Sequence, residues 1–342
     1  MNFASDNTTG ASPEVLDALI KANSGNTMPY GDDEYTKRVE QKICEIFETD
    51  AAVFLVSTGS AANSLALSMM TPPYGAVLCH TDSHINIDEC GAPEFYSGGA
   101  KLIDIGGSDG KLHPEDVARA AAEGVGFVHH VKTSAVSLTQ ATEAGTIYSV
   151  DEVMAISKIC KEYNLKMHMD GARFTNALET LGCTPAEITW KAGVDILCFG
   201  ATKNGVLVAE AVVLFDKQLA TEFSYRRKRG GHLFSKMRVM SAQMEAYLTD
   251  NLWRRNAAHA NAMAQRMADG LCVLPNISLE FPRQSNVMFL NMPQNIIDAL
   301  QADGFLFYQR GLDPVARLVT AFNTTADEVD ALVAAAKKHS GA

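Results

Sequence analysis

The 342-residue chain is 47% hydrophobic and 20% charged, enough apolar material to bury an ordinary core and to divide it into two lobes. A formal net charge of −11 opposes bulk-charge attraction to phosphate backbones or anionic membranes, so neither nucleic acid nor a membrane is an expected partner. The start "MNFASDNTTGAS" has no signal-peptide pattern and no apolar run reaches membrane-spanning length, which makes the cytoplasm the expected location.

In chain order, "SPEVLDALIKAN" predicts a helix with Ser12 as N-cap and Pro13 at its first position. The glycine-rich "SGNTMPYGDDE" predicts a loop, and "EYTKRVEQKICEIF" an amphipathic surface helix with Tyr35, Val39, Ile43 and Phe47 on one face. From residue 51 to 216, β-rich runs ("AAVFLVS", "GAVLCH", "AKLIDI", "GFVHHVK", "LKMHMD", "DILCFG", "EAVVLFD") alternate with helical segments ("SAANSLALSMM", "SVDEVMAISKICKEYN", "TPAEITWKAGV"). That alternation predicts an α/β fold, a mostly parallel sheet with helices on both faces and ligands at the C-terminal ends of its strands. After residue 235, two long helical stretches lead into "ISLEF", "NVMFLNM", "FLFYQR" and "RLVTAF", a smaller α+β lobe. The expected division is an N-terminal segment over 1–30 packing near the active site, a large cofactor-binding domain over 31–240 and a small C-terminal domain over 241–342.

Seven cysteines (Cys44, Cys79, Cys90, Cys160, Cys183, Cys198, Cys272) form no CxxC pair and no metal-type spacing. They read as reduced thiols, and no metal site is expected. The chemistry lies elsewhere. "VSTGSAANSL" runs from a strand through Thr58, Gly59 and Ser60 into a helix, where free backbone N–H groups, the Ser60 hydroxyl and the helix dipole can meet a phosphate; the same residues also serve ordinary turns. "KMHMDGARF" ends a strand on Asp170, with His168 on the same face, and by itself this leaves open a ligand contact or an internal salt bridge to Arg173. "CFGATKNGV" puts Lys203 after an apolar strand, either snorkelling to water or desolvated into a neutral amine able to form a Schiff base. A phosphate cup, a strand-end carboxylate and a strand-end lysine in that order are what pyridoxal 5'-phosphate requires: Gly59 and Ser60 for the phosphate, Asp170 for the ring nitrogen, Lys203 for the aldehyde. Gly200 and Gly205 would let the backbone pass close to the cofactor.

The segments "SDNTTGASPEVLDAL", "PYGDDEYT", "VSTGSAANSLAL", "SHINIDECGA", "HMDGARFTNAL", "FGATKNG" and "ARLVTAFNTT" span almost the whole chain, and together they resemble the threonine aldolases, fold-type I pyridoxal-phosphate enzymes grouped with the β-eliminating lyases. The resemblance implies retro-aldol cleavage of L-threonine or L-allo-threonine to glycine and acetaldehyde, with larger β-hydroxy amino acids such as phenylserine also accepted. It implies that His84 lies over the cofactor ring and shares in deprotonating the β-hydroxyl, with Glu89 holding it or a water in place. Arg317, with Ser5 and Arg173 beside it, would clamp the substrate carboxylate in a bidentate fork; Arg173 would also border the cofactor. Tyr30 would border the site from a partner subunit in a homodimer or homotetramer whose active sites form at the dimer interface.

Two segments depart from the family's pattern. Many bacterial relatives carry a second histidine near the end of the middle strand, where this chain has "SLTQATEAG" with Thr139, Gln140 and Thr142; Thr142 is then the expected substrate contact, and the base stays open. Relatives often have an arginine after a Gly-Gly that reaches a neighbour's phosphate, and here "YRRKRGGHLFSKMR" offers Arg229, His232 or Lys236. His129 and His130 are read as structural residues on a strand. Three competing functions are a β-eliminating lyase, a catalytically idle cofactor-binding protein and a nicotinamide-dependent dehydrogenase; the last lacks its G-x-G-x-x-G.

Overall fold

Near-continuous apolar runs such as "GAVLCH" and "ILCFG" suit strands covered on both faces, and both are buried along their whole length. In the computed structural model, which describes residues 1–341, they belong to a seven-stranded sheet. Its strands are β1 (Ala52–Val56), β2 (Gly75–His80), β3 (Lys101–Ile105), β4 (Lys132–Thr139), β5 (Lys166–Gly171), β6 (Ile196–Gly200) and β7 (Glu210–Leu214). Their order is β1-β7-β6-β5-β4-β2-β3. All pairings are parallel except those of β7, which runs against both β1 and β6. This is the mostly parallel α/β architecture expected from the alternation.

Helices cover both faces. Val39 and Ile43 (helix Glu34–Ile46), Val153 and Ile156 (helix Val150–Glu162) and Phe174 pack with Met167 and Met169 in one core cluster. Helix Gly59–Met70 covers the other face through Ala62, Leu65 and Ala66, against Val77, Ile196 and Val212. His168 and Asp170 therefore face the second layer, as the two-residue period requires.

One strand lies elsewhere than expected. "GFVHHVK" is not a strand: Gly124 and Gly126, at φ +69° and +77°, turn the chain, Val128 is 93% exposed, and the Phe127 ring packs on His129 and His130. The middle strand begins only at Lys132, in "KTSAVSLT", whose small and hydroxyl residues give a weak apolar signal although residues 135–138 are buried. His129 and His130 thus sit in a surface turn. Ser12 does precede helix Pro13–Ala22, but its hydroxyl makes no cap and instead accepts from Asn256 Nδ2 at 2.9 Å. "TPAEITWKAGV" forms only the short helix Pro185–Ile188 and a 3-10 turn.

The C-terminal part adds helices Arg238–Leu248 and Leu252–Leu271 and a four-stranded antiparallel sheet in the order β10-β11-β9-β8, where β8 is Ser278–Leu279, β9 Val287–Asn291, β10 Tyr308–Gln309 and β11 Val315–Val319. The chain's first residues join this part. Phe3 donates its N–H to Leu306 O at 2.7 Å and accepts from Val319 N at 2.8 Å, with its ring in the small core. The segment then delivers Ser5 and Asp6 to the space above the large sheet. Among the described residues, no helix is long and apolar enough to cross a membrane.

Candidate active site

Two cavities meet above the C-terminal ends of the parallel strands. The smaller, of 260 Å³, is lined by Gly59, Ser60, His84, Asp170, Thr202 and Lys203 among others. The larger cleft, of 660 Å³, takes in Ser5, His84, Arg173, Lys203 and Arg317. Lys203 and His84 line both. Lys203 is there because β6 ends on Gly200 and the chain enters a 3-10 turn over Thr202–Asn204, which turns the half-buried lysine inward.

At the floor of the smaller cavity, β1 runs into helix Gly59–Met70. Thr58 caps it by accepting from Ala61 N at 3.1 Å, which leaves the Gly59 and Ser60 N–H groups free at the cavity. A Cβ built on Gly59 would meet no protein atom within 4 Å and would project into open space. Donors at a helix start around an open cradle fit a phosphate. Thr202, which lines the same cavity, sits against the Glu210 carboxylate, and its hydrogen bonding works against the rise that burial gives that group.

Asp170, 4% exposed, is the last residue but one of β5. Its Oδ1 accepts from Ala172 N at 2.9 Å and its Oδ2 from Asn63 Nδ2 at 2.8 Å. It makes no salt bridge to Arg173, so that alternative falls. Arg173 instead grips Asp6 with Nε at 2.7 Å and Nη2 at 2.9 Å, both side chains buried. Burial works to raise the Asp6 carboxyl, but the charge and hydrogen bonds of Arg173, with Lys203 adding its charge, hold it below the usual carboxylate value. Asn286 Nδ2, just before β9, donates to the same carboxylate at 3.0 Å, so Asp6 ties the chain start to both lobes.

Arg317 stands on β11 and donates through Nη1 to Ala4 O at 2.9 Å. Burial, then the charge of Arg173, pulls its guanidinium below the usual value. Three guanidiniums line one cleft: Arg173 is taken up by Asp6 and Arg310 stands 3.7 Å from Asp82, which leaves Arg317 without a carboxylate partner. The uncompensated positive charge fits a ligand carboxylate.

His84 opens a short helix, His84–Ile87, after β2. Its Nδ1 lies 2.9 Å from Glu89 Oε1, and that oxygen also accepts from Asn63 Nδ2 at 2.9 Å. The Glu89 hydrogen bond pushes the imidazole above its usual value, burial opposes, and the charges of Asp170 and Glu143 add to the rise. With Nδ1 engaged, Nε2 is the nitrogen left to exchange a proton.

Not every expected contact forms. Thr142 lines neither cavity: it is 1% exposed, and its hydroxyl is engaged by Thr146 Oγ1 at 2.7 Å and Thr146 N at 3.2 Å. Gln140 is fully buried, its amide bonded to both backbone groups of Tyr148. The loop presents Glu143 to the cleft instead. Tyr30 lines neither cavity of its own chain; it is 47% exposed, with Lys228 Nζ 4.7 Å above its ring. Of the three basic residues after "YRRK", His232 places Nδ1 3.0 Å from Ser57 Oγ at the edge of the smaller cavity, while Arg229 lines a separate surface groove. Gly205 does not serve the cavity: at φ +99°, a Cβ there would strike Ser12 Oγ and Asn256 Nδ2. Gly200 lines the cavity, but it is small because a Cβ would strike the Ala172 backbone.

Sequence reasoning missed Asp6, Asn63 and Glu210. Glu210 begins β7, accepts from Ala201 N at 2.8 Å and is raised by burial. A polar residue inside the apolar helix "SAANSLAL" and an acid inside the strand "EAVVLFD" were the available signals.

Sequence and structure comparisons find relatives over almost the whole chain. The sequence model of the beta-eliminating lyase family matches residues 2–293. The chain is 46% identical to the low specificity L-threonine aldolase of a Pseudomonas strain over 97% of its own length and 96% of the relative's. It is 46% identical to that of Pseudomonas aeruginosa over 96% and 94%. The solved threonine aldolase of Leishmania major superposes with a TM-score of 0.93 at 30% identity, covering 99% of each chain.

Proposed function

The chain belongs to the β-eliminating lyase family, among its low-specificity L-threonine aldolases, and from that premise we propose a pyridoxal-phosphate enzyme that splits L-threonine or L-allo-threonine into glycine and acetaldehyde. Larger L-β-hydroxy-α-amino acids such as phenylserine are substrates of the same site. The cofactor supplies an aldehyde for the substrate amine and a ring that accepts electrons from the substrate α-carbon. The residues of the smaller cavity suit it: Gly59 and Ser60 N–H groups for the phosphate, Asp170 for the ring-nitrogen proton, Lys203 for the aldehyde.

The remaining work falls to this chain's side chains. Arg317 and Arg173, with Ser5 at the same wall, bind the substrate carboxylate and so fix which α-carbon bond can break. His84 Nε2 accepts the β-hydroxyl proton as the Cα–Cβ bond breaks, and Glu89 holds the ring for that transfer. Thr142 and Gln140 are buried away from the cleft, and His84 is the group there that Glu89 orients for proton transfer.

The observation that carries this reading is the position of Lys203, at the junction of a phosphate-and-carboxylate cavity and a cleft with three arginines. The test is to incubate the pure holoenzyme with L-threonine, L-allo-threonine and phenylserine and to assay glycine and aldehyde. Formation of 2-oxobutanoate and ammonia from threonine, without glycine, would assign β-elimination instead. The proposed assembly is a homodimer or homotetramer in which Tyr30 reaches a partner's site, and Tyr30→Ala should weaken turnover only in the assembled species. Seven free thiols suit a reducing cytoplasm.

A further inference from the structure

Asn63 occupies a place that neither the cofactor nor the substrate reading assigns. It lies on helix Gly59–Met70, 2% exposed, and its one amide nitrogen is 2.9 Å from Glu89 Oε1 and 2.8 Å from Asp170 Oδ2. An amide NH2 has two N–H bonds, so each carboxylate takes one. The opposite amide orientation would aim Oδ1 at two carboxylates with no donor among the three groups, so the chemistry fixes which way the side chain points. Oδ1 is left buried without a partner, as is Glu89 Oε2. Against the cost of those orphaned atoms stand the two hydrogen bonds of the amide nitrogen.

That nitrogen bridges the two halves of the machinery. Glu89 holds the His84 ring, and Asp170 is the carboxylate for the cofactor ring nitrogen. Two carboxylates sharing one nitrogen can be no farther apart than the two bonds combined, and like charges so close favour protonation of one of them. We propose that Asn63 is a positioning residue that keeps Glu89 and Asp170 both ionised and at fixed separation, so that base and ring-nitrogen carboxylate act at the same pH. The structural half of this rests on hydrogen bonds alone; the catalytic half rests on the functional reading above. The titratable and charged groups around the pair are His84, His168, Cys198 and Arg173, with Glu143 and Lys203 and, in the cleft, Asp82 and Asp88, and none of them is a neutral double donor placed between the two carboxylates.

The test is a carboxyl-carbon NMR titration of the full-length cofactor-free protein with wild-type sequence, Asn63→Leu and Asn63→Ser. Without the shared donor, at least one of Glu89 and Asp170 should titrate higher, by about one to two pH units for Asn63→Leu, with a smaller rise for Asn63→Ser, which keeps a single donor. In the holoenzyme, kcat for threonine should fall about tenfold or more with KM little changed, because Asn63 does not reach the substrate cleft. Carboxylates that titrate as in wild type in a folded variant would overturn the inference, as would a rise in KM matching the fall in kcat. Should Asn63→Leu not fold, Asn63→Ser decides. The titration needs no cofactor, so its failure is distinct from an unsubstituted enzyme that makes no glycine, which would break the functional reading instead.

Discussion

The two cavities that meet at Lys203 are built in different ways. The smaller is made by strand ends and one helix start of the large sheet, and its key groups are buried and bonded to one another: Asp170 to Asn63, Asn63 to Glu89, Glu89 to His84. The larger is assembled from the chain start, the segment after β2, the loop after β4, Arg173 just past β5, the Lys203 turn and four segments of the C-terminal part, and it keeps charge unspent in Arg317 and Glu143. The difference separates two tasks. The closed cavity is preorganised to hold one fixed group, whereas the open cleft must bind, orient and release substrates of varied size.

The largest expected effect breaks that comparison at its junction. Lys203→Ala should lower turnover by about a thousandfold or more while the fold persists, because a half-buried lysine with no hydrogen-bond partner contributes little to stability. Loss of cofactor attachment after borohydride reduction, read by mass spectrometry, checks it. Retained covalent attachment would move the role to another lysine.

Next is Asp6, whose effect is on the scaffold of the open cleft. Removing one partner of a buried ion pair strands the other charge, so Asp6→Ala should cost about 3–5 kcal/mol in denaturant unfolding. It also releases the tie to Asn286 between the lobes. Arg317→Lys tests the cleft's function. A lysine cannot reproduce the fork, so KM for threonine should rise about tenfold or more with a smaller change in kcat, and steady-state kinetics decide it.

How much of this could be read from sequence follows the same division. Gly59, Ser60, Asp170 and Lys203 each sit within a few residues of a strand end, where local pattern and local chemistry coincide, and they come together in one cavity. The middle strand is hard to place because its apolar Ala135, Val136 and Leu138 stand among Thr133, Ser134, Ser137 and Thr139, while an exposed turn carries the apolar Phe127 and Val128. That Thr142 lies outside both cavities, its hydroxyl engaged by Thr146, is something no local signal says. Asp6 and Asn63 act through partners 167 and 107 residues away, a pairing that only the fold creates.

The closed cavity yields a pH prediction. The His84 imidazole is raised chiefly by Glu89, so Glu89→Gln should shift the acid limb of kcat/KM to lower pH, since the ring then becomes a neutral base at lower pH. For stability the sign is as follows: a histidine whose folded value lies above its unfolded one, near 6.5, stabilises fully below that unfolded value, and the contribution is lost as pH rises through the folded value. Wild type should therefore exceed Glu89→Gln in stability by more near pH 6 than near pH 9, as denaturant midpoints at the two pH values would show. An equal gap at both would mean that Glu89 acts by packing alone.

The smallest effect should come from the rim of the open cleft. Arg310, in the turn between β10 and β11, has its guanidinium 5.6 Å from the centre of the Phe281 ring and 5.9 Å from that of Phe289, and reaches across the mouth to Asp82 at 3.7 Å. The Asp82 contact is long and both side chains are nearly half exposed, so it adds almost nothing to stability. The contacts to the rings are also modest at an exposed site, about 0.5–1 kcal/mol, yet they cover an aromatic wall of the cleft, which we expect a substrate's β-substituent to meet. Arg310→Ala should thus leave threonine kinetics within about twofold and change the phenylserine-to-threonine ratio of kcat/KM by about threefold or more. A ratio unchanged in the variant would mean that β-substituents do not touch this wall, and that the cleft selects its substrates from the carboxylate end alone.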